Sequence, residues 1–260
     1  MKIHPKINPR EYINFEPLTS EFIQDLIEEG RYFILKKNDF STTVGILQGK
    51  AINKNYDLLI KRFNYRGSFD FFIHKIFKDR AERLWEKNFM LYNIGLPVPI
   101  PLQYIKATLG QKHSFFISAA LSNTEKLSDS FRKGLLKKEK KLNKQIADSI
   151  ANFHNSGAIH GDLKWPNILV QANNNTYTIF FIDLDQSSFS TKFNIKGIYE
   201  DLIRFYRFGL QLEAEKWVND IFFPEYLSSI DNKIKKRINI ESIINQAETE
   251  WIKNGRKRFL

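Results

Sequence analysis

The stretch Ile159-His-Gly-Asp-Leu-Lys-Trp-Pro-Asn-Ile-Leu-Val170 decides how this chain is read. Before it, Leu142, Ile146, Ile150 and Phe153 recur at helical spacing, and Gly157 closes the helix they predict. After it, Ile168 to Gln171 and Tyr177 to Ile182 read as two apolar strands. The turn-rich Ala172-Asn-Asn-Asn175 joins them into a hairpin. Asp162, Lys164 and Asn167 therefore occupy a polar loop between a helix and a strand. Asp183, twenty-one residues after Asp162, ends the second strand. Hairpin pairing brings Asn167 and Asp183 to the same end of the two strands. An amide oxygen and a carboxylate converging there form a hard-oxygen site suited to Mg²⁺. Asp162 beside them is placed to accept a proton from an attacking hydroxyl.

Composition sets the frame around this loop. The chain has 260 residues, 42% hydrophobic and 27% charged, which is too much apolar material for a disordered chain. Twenty-three Phe, 10 Tyr and 4 Trp predict a core dominated by ring packing. Cysteine is absent, which excludes a disulfide scaffold, Cys-ligated zinc and a thiol nucleophile. No apolar run reaches the ~18 residues that would span a bilayer. Met1 to Arg10 carries Lys2, Lys6 and Arg10 without an apolar segment, so no secretory signal is read there. The expected location is the cytoplasm.

The formal charge is +11, and it is clustered. Arg132, Lys133, Lys137, Lys138, Lys140, Lys141 and Lys144 face one acid, Glu139. Lys233, Lys235, Lys236 and Arg237 form a second group; Arg256, Lys257 and Arg258 form a third. Such groups attract polyanions or serve as solvated helix faces. No RNA-recognition signature, zinc-finger spacing or helix-turn-helix pattern accompanies them, so no nucleic acid is expected.

Upstream, Ser20 to Glu29 reads as a helix capped at Thr19 or Ser20 and stopped by Gly30. Tyr32 to Leu35, Thr42 to Leu47 and Tyr56 to Phe63 read as strands. Phe72 to Asn93 reads as a helical stretch with a break near Asp79. Three prolines exclude helix from Gly95-Leu-Pro-Val-Pro-Ile-Pro101. Leu102 to Ala107 and His113 to Ala120 follow as a strand pair, and beyond Lys196 the pattern is helical. This is an α+β chain in two lobes, with a boundary near Ala120 to Lys126 and a ligand site expected between them.

The loop and hairpin resemble the protein kinase-like superfamily, whose catalytic loop reads His-Arg-Asp-Leu-x-x-x-x-Asn and whose metal Asp follows on the next strand. His160, Asp162, Leu163, Asn167 and Asp183 match, with the same four residues between Asp162 and Asn167. Gly161 in place of Arg resembles the branches that phosphorylate small molecules and sugars. A narrower resemblance covers about residues 31 to 210. Lys61-Arg-Phe, Asp79-Arg-Ala81 with Trp85, Gly95-Leu-Pro-Val-Pro99, His160-Gly-Asp-Leu-Lys164 and Ile182-Asp-Leu-Asp185 recur in the order of the lipopolysaccharide kinase family.

The resemblance implies a two-lobed kinase-like fold: residues 1–121 an N-terminal extension and nucleotide-binding lobe with an antiparallel sheet and one main helix, residues 122–260 a mostly helical catalytic lobe. It implies ATP-dependent phosphorylation of Kdo or heptose in the lipopolysaccharide inner core, with ATP and Mg²⁺ as cofactors. Asp162 would be the base, and Asn167 and Asp183 the metal ligands. Lys164 would steady the transferred phosphate, and Lys61 would contact the α- and β-phosphates. Glu82 and Glu86 both qualify as the Lys61 partner; the spacing of Glu86 fits the kinase pattern better. The Asp39 to Gly45 turn has one glycine, so phosphate contacts there fall to backbone N–H groups and to Ser41, Thr42 or Thr43. Asp185 is a second metal ligand or, by preference, a hydrogen-bond partner orienting the loop. Asp201 either anchors the loop from a helix or is a surface acid. His160 and His154 read as scaffold, and Trp85 and Trp165 as packing residues.

A glycolipid acceptor would be met at the cytoplasmic face of the inner membrane, giving the basic clusters an anionic surface to contact peripherally. Two rival readings are a Ser/Thr/Tyr protein kinase, against which the missing Ala-Pro-Glu segment counts, and a catalytically silent kinase-like binding module.

Overall fold

Buried and half-buried residues alternate along Thr42–Leu47, as they do in a strand with one face on a core. The structure, a computed structural model, describes residues 15–38, 42–52, 54–65, 78–107, 113–174 and 176–255. The chain forms two compact units, Met1–Ser122 and Asn123–Leu260.

In the first unit, helix α1 (Ser20–Glu28) precedes strands β1 (Tyr32–Asn38), β2 (Thr42–Leu47) and β3 (Leu58–Asn64). Helix α2 (Arg80–Asn93) and strands β4 (Pro101–Ile105) and β5 (His113–Ala119) follow. The sheet is antiparallel, in the order β1-β2-β3-β5-β4. Ile23 and Leu26 of α1 pack on Leu47, Leu58, Ile60, Leu102, Phe115 and Ile117 of the sheet. Pro101 is tolerated because β4 is an edge strand. Strand ends differ from expectation by one to three residues. β1 runs on to Asn38, and β3 starts at Leu58 because Asp57 turns aside to accept from Gly49 N–H at 2.8 Å. The helix expected from Phe72 is described only from Arg80, since residues 66–77 lie outside the described residues.

Asp79 accounts for the start of α2. Its carboxylate caps Ala81 N–H at 2.7 Å and accepts from the Tyr65 hydroxyl at 2.9 Å. Burial and that carboxylate raise the Tyr65 pKa to about 12, so the hydroxyl keeps its proton. Arg80 beside it lies 4.7 Å over the Phe63 ring. The Asp79-Arg-Ala81 motif is therefore a cap and a clamp. Gly45 has a packing reason too: a Cβ there would stand 2.4 Å from the Tyr32 ring, whose hydroxyl donates to Ile60 O at 2.9 Å.

The second unit opens with β6 (Thr124–Lys126) and α3 (Leu127–Arg132), then α4 (Lys140–Asn155). Strands β7 (Ala158–Ile159), β8 (Ile168–Asn173), β9 (Thr176–Phe181) and β10 (Ser188–Phe189) follow, then helices α5 (Ile195–Gln211), α6 (Phe223–Ser229) and α7 (Ile240–Lys253). Leu142, Ile146, Ile150 and Phe153 form the buried stripe of α4, each contributing about 1.5–3 kcal/mol by burial. The hairpin turn is tighter than expected. Asn173 pairs with Thr176, leaving two turn residues, and Asn174 takes φ 44°, as such turns require. β6, three residues long, adds to β8 and was too short to show alternation. Phe131, Phe205, Phe208 and Trp217 surround the buried Trp165, which confirms it as a packing residue.

Candidate active site

The β8–β9 register carries the site. Ile168 pairs with Phe181, and Ile182 N–H donates to Asn167 O at 3.0 Å. Asn167 thus precedes β8 where Asp183 follows β9, at one end of the hairpin. Asp183 is exposed and stands in the left-handed region, φ 61°. A non-glycine residue held there stores strain, a feature that clusters at functional sites. Among residue types Asp accepts that conformation more readily than most.

Asp162 is held on one side only. Its Oδ2 accepts from Lys164 Nζ at 2.7 Å and from Asn167 Nδ2 at 3.1 Å. Asn167 Nδ2 also donates to Asp162 O at 3.0 Å. Among the described residues no hydrogen bond reaches Oδ1, and the side chain is 25% exposed. One carboxylate oxygen is fixed and the other is open to an incoming hydroxyl, as a general base requires.

The loop backbone is anchored from below. Asp201 on α5 is fully buried; its Oδ2 accepts from His160 N–H at 2.7 Å and its Oδ1 from Gly161 N–H at 2.9 Å. This decides between the two readings of Asp201: it is an anchor. The sequence signal was an acid on an otherwise apolar helical face with Ile198, Leu202 and Phe205. His160 ties the loop to the hairpin. Its Nε2 donates to Ile182 O at 3.1 Å, so Nδ1 is the acceptor for Asp162 N–H at 3.3 Å. Burial lowers the His160 pKa, while Asp201, Asp162 and Asp183 oppose it. The ring is a neutral scaffold. Gly161 has φ 81°, and a Cβ on it would lie 2.4 Å from Gln186 O. The residue where the kinase pattern has Arg must be glycine here because the segment after Asp183 crosses directly over it.

Asn167 and Asp183 also fit the Mg²⁺ expected of this chemistry. The Asn167 nitrogen is spent on Asp162, which leaves its oxygen as the ligand atom. Among the described residues no group of three or more His, Asp or Glu is arranged for a metal. Two protein oxygens suit an ion that keeps its waters and shares the phosphates of a substrate.

The first unit shows a different pattern. Lys61 pairs in register with Val44 and Phe116, and its Nζ lies 5.6 Å from the Phe63 ring centroid. Glu86 is held at both oxygens by Lys78 Nζ, 2.6 and 2.8 Å, rather than by Lys61. Glu82 is held by Lys106 at 2.9 Å, with the Tyr104 hydroxyl at 3.4 Å. Both acids are therefore paired with lysines other than Lys61. Thr42 is half-buried at the start of β2; Thr43 is buried and accepts from Arg62 Nη2 at 3.5 Å. Ser41 lies outside the described residues.

The basic cluster is exposed and partly neutralised: Arg132 pairs with Asp129, Lys133 with Glu125 and Lys144 with Asp148. Lys233, Lys235, Lys236 and Arg237 are exposed; Arg256, Lys257 and Arg258 lie outside the described residues. No helix among the described residues is long and apolar enough to cross a membrane.

Comparison with known proteins bears on this geometry. Residues 54–221 match the model of the lipopolysaccharide kinase (Kdo/WaaP) family. No curated protein matches the chain. Among solved structures, WaaP in complex with acyl carrier protein is similar, with a TM-score of 0.58 at 15% identity over 88% of this chain and 91% of that one. That likeness fits a kinase-like fold, with an antiparallel N-terminal sheet and a helical C-terminal part.

Proposed function

The chain belongs to the lipopolysaccharide kinase (Kdo/WaaP) family, and from that premise we propose that it transfers the γ-phosphoryl of ATP to a hydroxyl of Kdo or heptose in the lipopolysaccharide inner core. Family members are kinases that phosphorylate core sugars. The observation that carries the reading here is Asp162, clamped at Oδ2 by Lys164 and Asn167 and open at Oδ1.

In this reading Asp162 orients the acceptor hydroxyl and takes its proton at Oδ1. Lys164, 2.7 Å from Oδ2, is near enough to share its charge with the transferred phosphoryl group. Asn167 and Asp183 would hold Mg²⁺, which when bound neutralises charge on the phosphates. Residues 1–121 would supply Lys61 for the α- and β-phosphates, with Ser41 and Thr42 as candidate phosphate contacts, and residues 122–260 would carry the chemistry. To serve as the Lys61 partner, Glu86 would share its carboxylate with Lys78 or release it. The exposed lysines give the protein an affinity for the anionic cytoplasmic face of the inner membrane, where the acceptor lies.

Incubation of the protein with radiolabelled ATP and either lipopolysaccharide core or mixed protein tests the acceptor class. Label in the core alone is expected; label only in protein would replace this reading with that of a protein kinase. Mass spectrometry of lipid A–core from cells lacking the protein should then show one phosphate missing and identify its sugar. Asp183→Ala is expected to remove the Mg²⁺ dependence of ATP binding in titration calorimetry.

A further inference from the structure

Behind the Asp201 anchor lies a second layer of buried polar groups that the transfer reaction leaves unexplained. His154 on α4 is 1% exposed, and its Nε2 stands 3.5 Å from Asp201 Oδ2. Its Nδ1 is 2.8 Å from the hydroxyl of Tyr226 on α6. Tyr226 is itself fully buried, stacked against Phe222 and edge-on to the His154 ring. These residues come from three helices and meet the loop at His160 and Gly161.

We infer that Tyr226 is a positioning residue for the catalytic loop, acting through the tautomer of His154 on the Asp201 carboxylate. A hydroxyl beside an imidazole either donates to Nδ1 or accepts from it. If Tyr226 accepted, the phenolic proton would have no acceptor among the bonds Tyr226 makes, and in a ring with one proton Nε2 would turn a bare lone pair to a buried carboxylate. If Tyr226 donates, Nε2 carries the proton and faces Asp201 Oδ2 at 3.5 Å, an electrostatic contact longer than a hydrogen bond, and among the described residues Nε2 has no other partner. Electrostatics among groups this deeply buried select the second arrangement. Burial and the Asp201 charge hold the Tyr226 pKa well above its ordinary value, which keeps the proton on the phenol. The order is then Tyr226 O–H to His154, His154 N–H toward Asp201, and Asp201 to the two loop amides. Asp162 follows those amides directly in the chain. A tyrosine sixty-four residues past the base thereby sets the loop on which that base sits.

The kinetic consequence rests on Asp162 being the base; the structural consequence does not. Tyr226→Phe keeps the ring and removes only the hydroxyl. In hydrogen exchange, the His160 and Gly161 amides of this variant should lose protection by roughly five- to tenfold, the loss expected for one net hydrogen bond. kcat should fall by a similar factor with the KM for ATP unchanged. Ser229→Ala, which removes a bond from the same helix to Asp148, should leave both amides as they are. His154→Gln should retain part of the protection, since its amide can accept from Tyr226 and donate to Asp201; His154→Ala should not. Nitrogen-15 NMR of the unaltered protein should show His154 protonated at Nε2. Protonation at Nδ1, or unchanged amide protection in Tyr226→Phe, overturns the inference. Loss of protection in a protein that transfers no phosphate would leave the relay standing and remove the proposed activity instead.

Discussion

The catalytic loop and the Lys61–Glu86 region hold their charged groups in opposite ways. In the loop, two backbone amides end on a carboxylate that water does not reach, and a buried imidazole ties the loop to the hairpin. Around α2, Glu86 is joined to Lys78 by an ion pair whose side chains are 44% and 59% exposed. Buried bonds are expensive to leave unmade, whereas exposed pairs are cheap to exchange. The geometry around Asp162 is thus built into the fold, while the exposed Lys78–Glu86 pair is cheap to exchange.

The comparison is tested hardest at its rigid end. Asp162→Ala should lower turnover by about 10²–10⁴-fold with ATP affinity retained, read by steady-state kinetics beside calorimetry; a variant that turns over normally removes Asp162 from the mechanism. Asp201→Ala orphans the buried His160 amide and the half-buried Gly161 amide and should cost about 2–5 kcal/mol of stability, measurable by urea denaturation. A loss below that of a surface substitution would erase the contrast. His160 sharpens it through pH. Its folded pKa lies below the ordinary 6.5, so between the two values the unfolded chain binds a proton that the folded chain does not. Stability should therefore be full above pH 6.5 and fall as pH drops below it. His160→Gln should flatten that segment of the urea-midpoint profile. The smallest effect belongs to the flexible end. Lys78→Ala should leave the melting temperature unchanged, because the pair it breaks is solvated. A clear fall in Tm would mean that the α2 region is held as firmly as the loop.

Several of these elements could be read along the chain. The β8–β9 hairpin, the α4 stripe and the loop between them follow from local periodicity and turn chemistry, so Asn167 and Asp183 could be brought to one end before any coordinates. Asp79 and Gly45 were visible only as motif or as exception. Their reasons, a helix cap and the Tyr32 ring, depend on residues from other strands. The pairing of Glu86 could not be read because Lys61 and Lys78 are chemically equivalent candidates, and reach decides between them.

Residue order alone therefore determined the α+β class, the kinase-like loop and hairpin and the residue types of the site, because each rests on groups within a few positions or one turn of each other. Tertiary packing alone decided that Asp201 faces the loop rather than solvent, that Tyr226 meets His154 and that Lys78 holds Glu86. Those partners lie on different elements, 8 to 72 residues apart, and only the burial of each helix face against its neighbours selects which polar groups are left to satisfy one another.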